Sequence, residues 1–132
     1  MCSSDLFKSS LTGQTSQELA DAYTKATTKQ WTQPLGFAHA LFEVAVDVLK
    51  RTKNLDDKSS IIDAVKATDL DTIVGHISWG KGPNPNVAKT VLAGGQWQTG
   101  GKFPLDLVVT SNSGADMILV GGKTKEKVWP KQ

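Results

Sequence analysis

Pro34-Leu35-Gly36-Phe37-Ala38-His39-Ala40-Leu41-Phe42-Glu43-Val44-Ala45-Val46-Asp47-Val48-Leu49-Lys50-Arg51 is the stretch on which the fold of this chain turns. Pro34 suits a first helical turn, where its missing N–H has no intrahelical partner to lose. From Phe37 onward, Ala40, Leu41, Val44, Ala45, Val48 and Leu49 fall on one apolar stripe at helical spacing. Phe42 and Val46 widen that stripe on one side, so burial on more than one face is expected. Lys50, Arg51 and Lys53 close the helix with positive charge near its negative dipole end.

Upstream, Thr15 and Glu18 have capping-box spacing and start an earlier helix, with Leu19, Ala22, Tyr23 and Ala26 as its stripe and fraying near Thr27 and Thr28. Downstream, Asn54 to Asp57 form a turn into a third helix carrying Ile61, Ile62 and Val65, which ends around Asp69 to Asp71. The period then changes. Thr72 to Trp79 is β-branched and aromatic and predicts one strand, stopped by Gly80-Lys81-Gly82-Pro83-Asn84-Pro85. Two further strands are predicted over Lys89–Gln98 and Lys102–Thr110, joined by Thr99-Gly100-Gly101. Three helices followed by three strands suggest α+β with an antiparallel patch, yet the long helix asks for a larger sheet than these strands make.

Composition bounds the rest. A chain of 132 residues with 39% hydrophobic and 21% charged residues is enough for one domain with an apolar core and unlike a disordered chain. Net charge is +2, and the only concentration of lysine is Lys123, Lys125, Lys127 and Lys131, read as a solvated tail. No basic face interleaved with stacking aromatics is present, so nucleic acid is not an expected partner. The most apolar stretch is broken by His39, Glu43 and Asp47 and does not read as a membrane span. The N-terminus lacks the charged start, apolar run and small-residue site of an export signal. Cys2 is the sole cysteine, which excludes an internal disulfide. Residues 1–8 read as a non-native or disordered leader, the Cys-Ser-Ser-Asp-Leu run looking like a translated sequencing adapter. Residues 9–110 read as the body, and 111–132 as a terminal strand or tail.

The helix from Pro34 through Phe42-Glu43-Val44 to Arg51 resembles a segment of the type I periplasmic binding proteins of ABC transporters. There a proline, an aromatic and an aromatic-acid-small triplet open a long helix. Asp63 to Ala67 followed by Asp71-Thr72-Ile73-Val74-Gly75-His76-Ile77-Ser78-Trp79 looks like the family's next element, and Gly95-Gln96-Trp97-Gln98 like its late glutamine-aromatic strand. The likeness spans about Ser9 to Thr110 and is closest to the branched-chain amino acid and amide-binding branch. The triplet has Phe42-Glu43-Val44 where the family usually has Tyr-Asp-Ala, and Gly80 stands where an acid is frequent, which bears on the ligand more than on the fold. The resemblance implies an α/β fold: the C-terminal portion of a two-lobed binding protein, with three helices and an antiparallel or crossover strand set. It implies binding of an amino acid, amide or small carboxylate in an interlobe cleft without catalysis or cofactor. Delivery would be to an ABC permease of the inner membrane, from a periplasmic or lipid-anchored extracellular location. The N-terminal lobe would be supplied by a missing part of the same protein. A receptor's ligand-sensing domain shares that architecture, and a small stand-alone α+β enzyme is the reading from another class.

Four residues are candidate ligand contacts. By the resemblance, Phe37 faces the cleft and packs on an apolar ligand body; an ordinary core phenylalanine is the alternative. His39 lies off the main stripe and offers either a polar contact or a surface histidine. Trp31 and Gln33 sit in the loop that would approach the cleft, with Trp31 alternatively a plug over the core. His39 and Glu43 at i and i+4 have the spacing of two metal ligands, but two ligands do not make a site, and no carboxylate lies close to His76 in sequence. No metal is therefore expected, and a pairing of Cys2 with His39 or His76 as a nucleophile is weaker still. Gly80-Lys81-Gly82 and Gly94-Gly95 lack the spacing of a phosphate loop. Trp79 and Trp97 read as sheet residues sealing a lobe edge.

Overall fold

The structure, a computed structural model, describes residues 7–82 and 84–126. Met1 to Leu6 and Val128 to Gln132, with Lys127 and Pro83, lie outside the described residues, and so do the expectations that rest on Cys2, Lys127 and Lys131. The fold is mixed α/β, with three helices and two small antiparallel sheets. It forms two compact units that divide between Val91 and Leu92.

In the first unit, helix α1 spans Ser16–Thr27. Thr15 caps it: its hydroxyl accepts from the Glu18 N–H at 3.2 Å, and the Glu18 carboxylate accepts from the Thr15 N–H at 2.8 Å. Thr28 ends it in the left-handed region at φ 58. Helix α2 spans Gln33–Arg51 with Pro34 in its first turn. Helix α3 spans Lys58–Lys66, capped by the Asp57 carboxylate accepting from the Ser59 N–H at 3.0 Å.

The single strand predicted over Thr72–Trp79 is instead a hairpin: β1 (Asp69–Thr72) pairs antiparallel with β2 (Gly75–Ser78). The loop is Ile73-Val74, and the positive φ that closes the turn belongs to Gly75 at 108°. β-Branched residues occupy this loop because neither has to adopt positive φ; glycine absorbs that demand. The hairpin alternates cleanly, with Leu70, Thr72, Gly75 and Ile77 buried and Asp69, Asp71 and His76 exposed.

The inward faces of the helices follow the predicted apolar stripes only in part: Ala40 and Val48 of the α2 stripe are buried, but several other stripe residues are not. In α1 the buried residue is Ala20, while Ala22 and Ala26 are exposed. In α2 the buried residues are Ala40, Glu43 and Val48, whereas Leu41 and Phe42 are 73% and 72% exposed. In α3, Ala64 is buried while Ile62 and Val65 lie outside. Helix α2 packs on β1, and α1 and α3 pack on α2; the small residues Ala20, Ala40 and Ala64 are the buried ones at which neighbouring backbones can approach closely. Gly36 shows the same demand, since a Cβ there would stand 3.2 Å from Val74 Cγ1.

In the second unit, β3 (Gly94–Gln98) pairs antiparallel with β4 (Asp106–Ser111), a shorter pair than predicted, with a register irregularity at Gly94/Gly95. The Phe103 N–H donates to Asp106 Oδ2 at 3.2 Å within the connecting loop. After β4 the chain turns at residues 112–118, where Asn112 Nδ2 donates to the Ile118 carbonyl at 2.8 Å. Val109, Ala115 and Gln98 are the buried residues here.

Candidate functional site

The first unit converges on the Ile73-Val74 turn. Thr72 Oγ1 donates to the Gly75 carbonyl at 2.7 Å and accepts from the Val74 N–H at 3.3 Å. Ser16, at the start of α1, donates its hydroxyl to the Ile73 carbonyl at 2.7 Å. Glu43 reaches in from α2, and its Oε2 accepts from the Ile73 N–H at 3.0 Å. The segment before α1 joins as well: Ser10 donates its N–H at 3.0 Å and its hydroxyl at 2.9 Å to the Asp71 carbonyl, and Phe7 lies over Gly75.

Glu43 is the residue that sequence reasoning undervalued. Its side chain is 3% exposed, and its second oxygen, Oε1, has no hydrogen-bond partner among the described residues. His39 Nδ1 lies 3.5 Å from Glu43 Oε2, beyond a good hydrogen bond, and is also buried without a partner. The signal available was position: Glu43 interrupts an otherwise apolar run, and a carboxylate there is tolerable inside only if a backbone donor meets it. As arranged, the group anchors α2 to the hairpin.

Of the four sequence candidates, Gln33 and Phe37 lie one turn apart on the same side of α2. Both are exposed, Phe37 at 38%. His39 follows Phe37 by two residues at about 100° each, which carries it to nearly the opposite side, beside Glu43. Trp31 is half-buried in the connection between α1 and α2. Gln33 and Phe37 are thus brought together, and His39 is not brought to them. Trp79 directly follows β2, half-buried, with its indole N–H unpartnered among the described residues.

A second polar cluster lies on the solvent face of the hairpin. His76 Nε2 stands 2.7 Å from Asp69 Oδ1, and its Nδ1 stands 2.7 Å from Asp71 Oδ1. Lys81 Nζ meets Asp69 Oδ2 at 2.9 Å. The carboxylates that sequence distance seemed to deny His76 come from the paired strand, where Asp71 lies directly opposite it. The Lys81 ammonium, and after it His76, holds the Asp69 carboxyl below its ordinary range. Both ring nitrogens of His76 thus face carboxylates. Its two carboxylates lie on opposite edges of the ring, so the donors do not converge, and no His, Cys, Asp and Glu group among the described residues is arranged to hold a metal ion.

No helix among the described residues is long and apolar enough to cross a membrane. No family model, curated protein or solved structure matches the chain.

Proposed function

We propose that this chain is part of the solute-binding component of an ABC importer, with the solute held in a cleft between two lobes and no covalent chemistry performed. The solute is an amino acid, an amide or a small carboxylate, and the receiving partner is a permease of the inner membrane. The full protein would work in the periplasm or as a lipid-anchored extracellular protein. In this reading the fold is the C-terminal portion of a type I binding protein, whose remaining lobe lies on the outer face of α2.

The observation that carries the reading is that outer face. Leu41, Phe42, Val46 and Leu49 are 73%, 72%, 42% and 55% exposed on a helix whose other side is already packed on the hairpin. A helix apolar on both sides belongs between two layers. The order and spacing of the proline-led helix, the short helix, the Gly75 strand and the Gln96-Trp97 strand give the same direction. Gln33 and Phe37, exposed on the opening turn of α2, are the assigned ligand contacts. Closure of two lobes on a solute draws its free energy from contacts made only in the closed state.

The test is the product of the complete reading frame that contains this chain. Its melting temperature is measured against panels of amino acids, amides and small carboxylates. At a hundredfold excess over Kd, a true ligand stabilises by about 2.7 kcal/mol, a rise of several degrees. A folded monomeric product that no solute of these classes stabilises overturns the proposal.

A further inference from the structure

In the second unit, residues 121–126 lie over one face of the β3–β4 hairpin. The N–H groups of Gly121 and Gly122 donate to the Val109 carbonyl at 2.9 and 3.3 Å. Further on, Gln96 Nε2 donates to the Lys125 carbonyl at 2.7 Å, while the Lys125 N–H donates back to Gln96 Oε1 at 2.8 Å. Gln98 Nε2 donates to the Lys123 carbonyl at 2.9 Å and to Gln96 Oε1 at 3.0 Å. These bonds all reach the segment through its backbone; the side chains of Lys123, Thr124, Lys125 and Glu126 are exposed.

We propose that residues 121–126 form a strap that opens and closes as one piece over the β3–β4 hairpin, with the Gln96 and Gln98 amides as its latch. A glutamine amide carries a donor and an acceptor in one plane, as a peptide group does, so Gln96 pairs with Lys125 in both directions. Such a latch reads backbone, and the exposed side chains of Lys123 and Lys125 take no part in it. The strap sits close: a Cβ on Gly122 would come 3.0 Å from Val108 Cγ1. Beneath it Gln98 is 8% exposed. The latch amides of Gln96 and Gln98 are side-chain groups outside the backbone ladder of β3 and β4, so the strap lifts by local opening while the hairpin stays paired. Only the open strap gives another molecule access to the Gln98 amide. This inference does not depend on the solute-binding reading.

Amide hydrogen exchange on the full chain tests it. Replacing both latch residues, Gln96→Ala with Gln98→Ala, speeds exchange at Gly121, Gly122 and Lys125 by roughly five- to tenfold per hydrogen bond lost and leaves the β3–β4 amides unchanged. Lys123→Ala with Lys125→Ala leaves strap exchange as it was. Lys125→Pro removes the N–H that Gln96 accepts without touching the hairpin, and it reproduces the faster exchange at Gly121 and Gly122 even where the glutamine variants fold poorly. Unchanged strap exchange in Lys125→Pro, hairpin amides accelerating together with the strap, or an equal effect from the lysine pair overturns the proposal.

Discussion

Glu43 is a carboxylate placed where burial penalises it, and a single backbone donor offsets part of that cost. Glu43→Ala strips the acceptor from the buried Ile73 N–H and is expected to lower stability by about 1–3 kcal/mol. Glu43→Gln retains an oxygen for the same N–H and costs less; equal losses in denaturant titration of the two variants refute the anchoring role. Glu18 poses a different residue-level question, because it is exposed yet tied into the cap of α1. Its carboxyl sits below its ordinary value of 4.5, first because it accepts from the Thr15 N–H and then from the Thr15 hydroxyl. Asp69 is lowered from 3.8, first by Lys81. A depressed carboxyl binds its proton less readily in the folded state, so its stabilisation is whole above the unfolded pKa and disappears as pH falls through the folded one. The chain should therefore lose stability below about pH 4. The acid limb of the unfolding curve should flatten in Glu18→Gln and Asp69→Asn, and an unchanged limb in both contradicts the assignment.

Among elements, the β1–β2 hairpin shows how far local pattern reaches. The β-branched run Thr72-Ile73-Val74 reads as continuous strand, and only Gly75 signalled otherwise, through a conformation that no composition rule reveals. Gly75→Ala meets both a φ of 108° and a Phe7 ring carbon 3.2 Å from the new Cβ. It should cost about 1–3 kcal/mol in a thermal melt. Gly80→Ala, with nothing within 4 Å, should stay within about 0.5 kcal/mol, which makes it the control. The helix ends were legible where chemistry marks them, at the Thr15–Glu18 box and at Pro34. The inward face of α2 was not, because apolar periodicity reports where apolar groups lie and not which of two layers meets them. Val48→Asp, on the inner face, should unfold the first unit, since it buries an unpaired charge. Leu41→Lys, on the outer face, should leave the stability of this chain within about 0.5 kcal/mol. Comparable losses from the two would place a covering layer within this chain itself.

For the whole molecule, many large apolar side chains lie outside while several core positions hold alanine. The core residues include Ala20, Ala40, Ala64 and Ala115, whereas Leu41, Phe42, Leu49, Leu92 and Leu119 are more than half exposed. The mixed α/β class and the run of three helices before the strands could be read from the sequence; the hairpin within Thr72–Trp79 and the place of Gln33 on α2 rather than in the preceding loop could not. The anchoring carboxylate and the strap could not, because each depends on side chains meeting backbone groups 25 to 30 positions away, and the hairpin cluster could not, because His76 meets Asp69 and Asp71 only once the chain reverses at Ile73-Val74. Burying a leucine or phenylalanine side chain is worth about 1.5–3 kcal/mol, so an apolar helix face left in water drives association. The 132-residue chain should therefore self-associate with rising concentration in sedimentation velocity and bind an apolar dye. Leu41→Lys combined with Phe42→Lys and Leu49→Lys should return it to monomer without lowering its melting temperature. On the proposal that a further layer covers this face in a longer product, the same triple substitution there should have the opposite sign, destabilising by several kcal/mol. A sharp cooperative melt of the unmodified 132-residue chain as a monomer, with no dye bound, would mean that the outer face of α2 needs no second layer.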